Sequence, residues 1–326
     1  MERVGAQALR GDVSHAYGLS GPRGVGKRTA ATRLAQTLNC VGERVPGGCG
    51  RCRACLLIDR GAHPDVALIT RDLDKRDIAI EQVRDMLGDL SLRPVEGRWR
   101  VVIVDDASDL NDYGQDALLK TLEEPPRHAV LLLVTPVPEA LHPTIASRLQ
   151  PLPLRLVPAA EIAAGMAELG IRGGEEHAAA AGGRPGVAIA LAREDAARAE
   201  RKRLDAELYR VLGSRLTERF AWAAALADEP DPRRRVREIE RRLVHWGDLI
   251  RDAAVAAQGG GSAVRPDRAT DTAAVAGAVG PRALVDLALL VERMRRDVTE
   301  WNANARLMLE LFALRAPYVA ALGAAA

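Results

Sequence analysis

The chain is poor in aromatic residues and nearly neutral overall. Aromatic side chains make up 3% of its 326 residues, whereas 48% of the residues are hydrophobic. This combination favours alanine-rich helical packing over a sheet laced with aromatic side chains. The net charge is only +2, from 46 Lys and Arg against 44 Asp and Glu. That balance argues against a protein that coats nucleic acid through its overall charge, although it does not exclude a local basic surface.

Long apolar runs and a signal-peptide pattern are also missing. No apolar run reaches about 18 residues, the length expected of a membrane span. Residues 1–11 carry charges and lack the apolar core of a signal peptide. We therefore expect a cytoplasmic protein with no membrane partner, and the length predicts two or three domains.

Short apolar runs alternate with helical stretches in the first half of the chain. Several of these runs are rich in β-branched residues, as buried parallel strands require. Strands that alternate with helices indicate a parallel α/β sheet, which we assign to residues 1–157. The predicted strands are Ala16–Ser20, Val66–Thr70, Val101–Val104, Val130–Thr135 and Leu152–Leu156.

From Pro158 onward the sequence becomes Ala-rich and helical. Three short helices separated by glycine pairs predict a small domain over residues 158–195. Residues 196–326 show the pattern of long amphipathic helices, with one Gly-rich loop at Gln258–Pro266. The predicted fold class is therefore α/β followed by all-α.

The first motif with chemical content is a glycine-rich loop between a strand and a helix. Its spacing is that of a phosphate-binding loop, in which backbone N–H groups and the helix N-terminus converge on phosphate. Arg28 stands where a Ser or Thr normally binds Mg²⁺, and Thr29 lies one residue late, about 100° further around the helix. A competent ATPase site and a loop retained only for its fold both stay open. The motif reads Gly21-Pro22-Arg23-Gly24-Val25-Gly26-Lys27-Arg28-Thr29.

All four cysteines lie within sixteen residues of one another, in the segment of about residues 39–62 that we call the cysteine insert. Two C-x2-C steps preceded by one further cysteine match a closed tetrahedral site, which suits structural zinc and leaves no position for catalysis. Disulfide scaffolds instead distribute their cysteines along the chain. Redox chemistry is the competing interpretation. The predicted metal ligands are Cys40, Cys49, Cys52 and Cys55.

Two carboxylates follow the apolar run Val101–Val104. Asp105 is predicted to hold Mg²⁺, and Asp106 to polarise the attacking water. P-loop enzymes of this class usually carry Glu at the second position, and Asp106 is one methylene shorter. The alternative is a pair of carboxylates that cap a helix or are solvated.

These motifs occur in the order found in bacterial DNA polymerase III clamp-loader subunits of the AAA+ family, which the chain resembles from about His15 to Leu156. The cysteine insert directly after the P-loop helix is similar to the insert of that family. The other stretches that carry the resemblance are His15-Ala16-Tyr17, Gln82-Val83-Arg84, Arg93-Pro94-Val95-Glu96-Gly97, Ala117-Leu118-Leu119-Lys120-Thr121-Leu122-Glu123-Glu124-Pro125-Pro126 and Pro143-Thr144-Ile145-Ala146-Ser147-Arg148-Leu149.

The resemblance implies an architecture and a set of roles. It implies an AAA+ P-loop sheet with a zinc insert over residues 1–157, a three-helix lid over 158–195 and a helical oligomerisation collar over 196–326. Arg148 is implied to act as an arginine finger on ATP bound by a neighbouring subunit. The residues implied to line this chain's own nucleotide site are Gly21, Gly24, Gly26, Lys27, Thr29, Asp105, Asp106 and Thr135.

Two subunit types of that family compete. Arg28, Asp106 and Gly186, which stands where active members carry an Arg, each weaken a different part of the ATP machinery. Together with Arg148 they favour the delta-prime stator over the ATP-hydrolysing gamma/tau motor. We expect the short segment before the P-loop, and the lack of a long extension after the helical domain, to favour the delta-prime type as well.

The delta-prime interpretation carries expectations about activity and partners. We expect no intrinsic ATPase; within a holoenzyme the chain would be grouped with DNA-directed DNA polymerases, which are nucleotidyltransferases. Whether ATP and Mg²⁺ bind stays open. The implied partners are gamma/tau and delta subunits in a hetero-pentamer and, through it, the sliding clamp and primed DNA.

A reading from another class is a zinc-dependent DNA-binding module with a vestigial P-loop. It needs a basic exposed face on the cysteine insert, for which Arg44, Arg51 and Arg53 are present. It lacks the aromatic side chains on which bases stack.

Overall fold

The structure, a computed structural model, describes residues 2–72, 75, 77–136, 139, 141–259, 269–300 and 304–323. Most of the predicted loop Gln258–Pro266 lies outside the described residues. The described residues form two compact units. The first holds the residues up to Val157 and the segment Arg184–Val187, and the second holds Pro158–Gly183 and the residues from Ala188 onward. The division into three domains stays a prediction.

The first unit is built on a five-stranded parallel sheet, as the α/β prediction requires. The strand order is β2-β3-β4-β1-β5, so β1 lies between β4 and β5. The parallel sheet agrees with the AAA+ P-loop sheet that the resemblance implied. The strands are β1 (Ala16–Ser20), β2 (Val66–Ile69), β3 (Arg100–Val104), β4 (Ala129–Thr135) and β5 (Gln150–Pro153).

The fifth strand starts and ends earlier than predicted. We expected Leu152–Leu156, whereas β5 spans Gln150–Pro153 and pairs with β1 from Tyr17 to Ser20. The physical reason is the end of its partner. After Ser20 the chain turns away into the glycine-rich loop, so the residues beyond Leu154, whose N–H still donates to the Ser20 carbonyl, have no strand beside them.

Strand β4 is buried along its whole length. Val130, Leu132 and Val134 enter one hydrophobic core, and Leu131 and Leu133 enter the other. This period of two is how a central parallel strand feeds the cores on both faces of its sheet. The surrounding helices are α1 (Glu2–Leu9), α2 (Lys27–Asn39), α3 (Arg53–Asp59), α4 (Ile80–Ser91), α5 (Asp112–Glu123) and α6 (Pro143–Ala146).

The second unit is helical, as predicted. Trp246 and Phe312 are fully buried at its centre, with ring centroids 5.3 Å apart, and Trp222 packs beside both. Helix α9 begins within the first unit's segment Arg184–Val187. The helices from the lid onward are α7 (Ala159–Glu168), α8 (Gly174–Ala180), α9 (Pro185–Arg193), α10 (Asp195–Gly213), α11 (Leu216–Ala227), α12 (Pro232–Ala257), α13 (Ala269–Ala278), α14 (Pro281–Glu300), α15 (Ala305–Arg315) and α16 (Ala320–Gly323).

A buried arginine joins two helix ends in this unit. Arg219 on α11 donates to backbone carbonyls at the end of α10, among them those of Leu212 and Ser214. It also donates to the carbonyls of Ala316 and Pro317, just after α15. The last carbonyls of a helix have no partner within the helix, so one guanidinium satisfies acceptors that would otherwise be buried unpaired.

The sequence predicts no apolar run long enough to span a membrane, and the helices can be compared with that prediction. Among the described residues, no single helix is both long and apolar enough to cross a bilayer. The segments Thr272–Ala278 and Pro281–Arg295 pass that test only as a pair, with a bend of 114° between them.

A buried carboxylate fixes the loop that leads into β3. Asp65 accepts hydrogen bonds from the backbone N–H groups of Val95, Glu96 and Gly97, at 2.6–2.8 Å, and lies 3.3 Å from the Arg100 guanidinium. Its side chain is fully buried. Burial alone would raise the pKa of Asp65, but the three N–H donors and Arg100 outweigh it and hold the pKa below its usual value.

Replacing this carboxylate tests the anchor. Asp65→Asn should lower stability by about 2–4 kcal/mol, because an amide NH₂ group would face buried N–H donors. Since the folded pKa is depressed, the ionised form contributes fully above the unfolded pKa of about 3.9 and is lost as the pH falls through the folded value. The gap in melting temperature between wild type and variant should therefore shrink below about pH 4. The exposed Asp59→Asn is the control, and a gap independent of pH would contradict the assignment.

Candidate functional site

The four cysteines of the insert come together around one point. Cys40 follows α2, Cys52 is the N-cap of α3, and Cys55 lies in the first turn of α3. All four Sγ atoms lie within 4.8 Å of one another, and the Cys40 and Cys52 Sγ atoms are 3.8 Å apart. Four thiolates about 2.3 Å from a tetrahedral Zn²⁺ would be about 3.8 Å apart. The predicted ligands therefore form a cluster of a size that fits a metal ion.

The thiols themselves differ in a way that suits a cation. Burial opposes ionisation of Cys52, but the backbone N–H groups of Cys55 and Val41 outweigh it and lower the pKa of Cys52 to about 6. Burial raises the pKa of Cys55 to about 12. Metal ligation requires thiolates, so a bound cation would supply the positive charge that the buried sulfur lacks.

A glycine lets the insert wrap closely around the cluster. Gly48 has φ +72°, and a Cβ there would lie 2.8 Å from the Gln36 side chain and 3.0 Å from the Cys55 Sγ. Gln36 is buried on α2 and donates to the Cys55 carbonyl. The insert is thus held against the helix that follows the P-loop.

The glycine-rich loop joins β1 to α2, and several of its glycines have a positive φ. Gly21 has φ +143° and donates to the Pro136 carbonyl at 3.2 Å, and Gly26, with φ +99°, precedes the first residue of α2. The Lys27 Nζ donates to the carbonyls of Gly21 and Pro22, at 2.6 and 3.0 Å. Burial lowers the pKa of Lys27, although Asp105 and Asp106 oppose that shift.

Two arginines of this loop reach the two carboxylates that follow β3. The Arg28 Nη1 lies 3.5 Å from Asp105 Oδ2, and the Arg23 Nη2 lies 3.4 Å from Asp106 Oδ2. Thr29, predicted as a nucleotide-site residue, is exposed on α2. The sequence reasoning noticed Arg28 but missed Arg23, because nothing local links Arg23 to a partner 83 residues away.

The set of side chains around these acids does not fit Mg²⁺. Mg²⁺ requires six oxygen ligands at about 2.0–2.1 Å in near-octahedral geometry. Arg28 stands at the position that would provide a hydroxyl oxygen, and a guanidinium has N–H donors and no acceptor. Burial raises the pKa of Asp105, and the Arg28 charge opposes this shift.

The second acid has an unusual backbone. Asp106 has φ +62°, and no other non-glycine residue among those described has a positive φ. Left-handed backbone at a residue other than glycine stores strain and is concentrated at functional sites. The Asp106 Oδ1 accepts a hydrogen bond from the Ser108 hydroxyl.

The remaining predicted residues of the site lie at the same edge of the sheet. Thr135 is buried at the end of β4 and pairs in register with Ser20, the residue before the loop. The Gly186 N–H donates to the Gly24 carbonyl at 2.9 Å, and a Cβ on Gly186 would lie 3.0 Å from that oxygen. The loop therefore leaves little room for the arginine that the resemblance placed at position 186 in active members.

The predicted arginine finger follows α6 and is held in a defined position. The Arg148 Nη1 donates to the Thr144 carbonyl and its Nη2 to Glu123 Oε1, both at 2.7 Å. The Arg148 side chain is 35% exposed. Sequence reasoning singled out Arg148 but not Glu123, which lies 25 residues earlier at the end of α5.

The first half of the chain matches a family of known proteins. Residues 1–158 match the family described as DNA polymerase III, delta subunit. The chain is 40% identical over 139 residues to the DNA polymerase III subunit delta' of Pseudomonas aeruginosa, a match covering 43% of this chain and 42% of that protein. It is 37% identical over 148 residues to the gamma/tau subunit of Mycobacterium tuberculosis, covering 45% of this chain and 25% of that protein. The match thus spans less than half the length of these curated relatives.

Solved structures show only a loose likeness. A DNA polymerase III gamma subunit-related protein from Thermotoga maritima is 17% identical with a TM-score of 0.37, covering 95% of this chain and 97% of that one. The DNA clamp loader delta protein of Bacillus subtilis is 15% identical with a TM-score of 0.33, covering 96% and 98%. A likeness at this level carries no functional argument.

The metal centre makes a direct prediction. The purified chain should contain about one zinc ion, because four thiolates close one tetrahedral shell. Cys52→Ser should release the metal and loosen the cysteine insert while the sheet stays folded. Elemental analysis, thiol titration and circular dichroism measure these effects. Arg51→Ala, a change of an exposed side chain in the same insert, should keep the metal; an unmodified chain with no metal and four freely titrating thiols would disprove the site.

Proposed function

We propose, on the premise that residues 1–158 belong to the DNA polymerase III delta-subunit family, that the chain is a delta-prime-like stator of the clamp loader. In this role it supplies Arg148 in trans to ATP bound by a neighbouring motor subunit and does not hydrolyse ATP itself. Its cysteine cluster would hold a structural zinc ion, and its place would be the cytoplasm, where replication proteins act.

One observation carries the proposal. The two carboxylates of the chain's own P-loop site face arginines of the same loop, whereas Arg148 is partly exposed and braced at two points. A planar guanidinium neutralises charge that grows on a transferred phosphate, and such fingers contribute about 10³–10⁵ in rate. Bracing by Glu123 and the Thr144 carbonyl would reduce the entropy lost when the finger engages phosphate.

The competing functions differ in what supports them. The gamma/tau-type motor is the second candidate, because Lys27 lies against the loop carbonyls and gamma/tau relatives match 42–45% of the chain. The zinc-dependent DNA-binding module has less support. Arg51 and Arg53, two of its three basic residues, lie within ion-pair distance of Glu43 and Glu96.

Arg148 separates the stator from the motor. In a loader reconstituted with its partner subunits, Arg148→Ala should leave fold, zinc and assembly intact and lower DNA-stimulated ATPase. The fall should be partial in total turnover, because one of several sites loses its finger, and larger in clamp loading. Arg148→Lys should rescue poorly, since a point charge cannot reproduce the planar fork.

Two further variants complete this experiment. Arg127→Ala removes an exposed arginine near the end of α5 and should have no effect. Lys27→Ala should change turnover little, and the chain alone should show negligible ATP hydrolysis. The reverse pattern, with Lys27 essential and Arg148 silent, would identify a motor subunit.

The proposed partners imply a contact surface on the helical part. On α15, Leu309 and Phe312 face the core, whereas Leu307 and Leu314 are 63% and 59% exposed. A groove of about 910 Å³ between α14 and α15 is lined in part by Leu289 and Leu311. Apolar side chains that recur at seven-residue spacing on one exposed helix face are typical of a surface that partner helices cover.

Charges on this face should disrupt the collar. Leu307→Asp together with Leu314→Asp should weaken association with the partner subunits at least about tenfold, because a carboxylate would be buried without a partner. Sedimentation or size-exclusion chromatography of the reconstituted complex measures the loss. Leu169→Asp, at an equally exposed leucine of the lid, is the matched control. Undiminished assembly would refute this surface.

A further inference from the structure

Two arginines of this P-loop motif lie near the acids that follow β3, Arg23 at a variable position of the motif and Arg28 where the motif has Ser or Thr. Arg23 lies within the loop and Arg28 in the first turn of α2, directly after Lys27. Their side chains are 54% and 58% exposed, and one Nη atom of each lies 3.4–3.5 Å from an aspartate that follows β3.

The charges of the two arginines add up to that of a divalent cation. In a loop that binds Mg²⁺, one lysine and the metal, with three positive charges, face two carboxylates. Here Lys27, Arg23 and Arg28 provide three positive charges and face Asp105 and Asp106. The local sum is therefore the same without any metal ion.

Three of the four carboxylate oxygens already face a donor. The Asp106 Oδ2 faces Arg23, and its Oδ1 accepts from the Ser108 hydroxyl. The Asp105 Oδ2 faces Arg28 at 3.5 Å. A Mg²⁺ ion that approached Asp105 would meet a like charge and gain no oxygen from position 28, where a guanidinium offers donors only.

The two ion pairs are long and partly exposed, so each adds little to the stability of the fold. Their effect is on the local charge and on the space available near Asp105 and Asp106. The arginines lie beside the acids predicted as Mg²⁺ ligands, next to the loop whose Gly21 and Pro22 carbonyls accept from Lys27.

We propose that Arg23 and Arg28 take the place of Mg²⁺ in this loop, so that the site excludes the divalent cation and any nucleotide it holds is bound without metal. The inference rests on the proposed function only for the inactivity of the chain's own loop, and Arg148 plays no part in it. A negative result in the following test would therefore not bear on the proposed role of Arg148.

The test measures the affinity of the full chain for the fluorescent nucleotide mant-ADP. The measurement is made once with saturating Mg²⁺ and once with the chelator EDTA, and the zinc content is confirmed in the EDTA-treated sample. Wild type should bind with the same affinity in both buffers, within about twofold. Arg28→Thr restores the hydroxyl and removes the repelling charge, so it should bind about tenfold more tightly with Mg²⁺ than with EDTA. The double variant Arg23→Ala, Arg28→Thr should show a larger ratio.

Arg28→Lys is the matched control, because it keeps the charge and supplies no oxygen; its affinity should stay independent of Mg²⁺. As a second readout, Mg²⁺ with ADP should raise the melting temperature of Arg28→Thr more than ADP with EDTA does, and should make no such difference for wild type. The proposal is overturned if wild type itself binds more tightly with Mg²⁺. It is equally overturned if Arg28→Thr gains no metal dependence, or if no variant binds mant-ADP in either buffer.

Discussion

The pairing of β4 with β1 on one side and β3 on the other is the constraint on which the rest of the first unit depends. Because β4 is buried on both faces, it holds the ends of these strands together at one edge of the sheet. The glycine-rich loop leaves β1 there, the two aspartates leave β3 there, and Thr135 ends β4 beside them. Residues far apart in the chain thus meet because parallel strands end on the same side.

Arginine–carboxylate ion pairs recur in the first unit. Arg23 and Arg28 face Asp106 and Asp105 at this edge of the sheet, whereas Arg148 pairs with Glu123 where the chain enters β5 and β4, at the opposite ends of the strands. Exposed pairs of this kind contribute little to folding. They do decide where guanidinium groups point. In one case the arginines lie beside the acids of the predicted nucleotide site, and in the other the pairing leaves the Arg148 guanidinium partly exposed.

The cysteine cluster is joined to the sheet by a continuous set of hydrogen bonds. Gln36 on α2 donates to Cys55, Asn39 at the end of α2 bonds to the backbone of Trp99 just before β3, and Arg98 donates to the Cys40 carbonyl. Metal binding at the thiolates would therefore order the end of α2 and the entrance to β3 together. This gives the proposed zinc a structural role.

The sequence by itself determined the features that depend on local pattern. Apolar runs predicted the strands, glycine spacing predicted the loop, and the C-x2-C steps predicted which sulfurs cluster, because each signal lies within a few residues. Tertiary structure alone decided the partners of Arg23 and Arg148, which lie 83 and 25 residues away in the chain. It also decided where β5 ends, since that depends on the end of β1, and which α15 leucines stay exposed. A periodic pattern marks an apolar face but not what covers it.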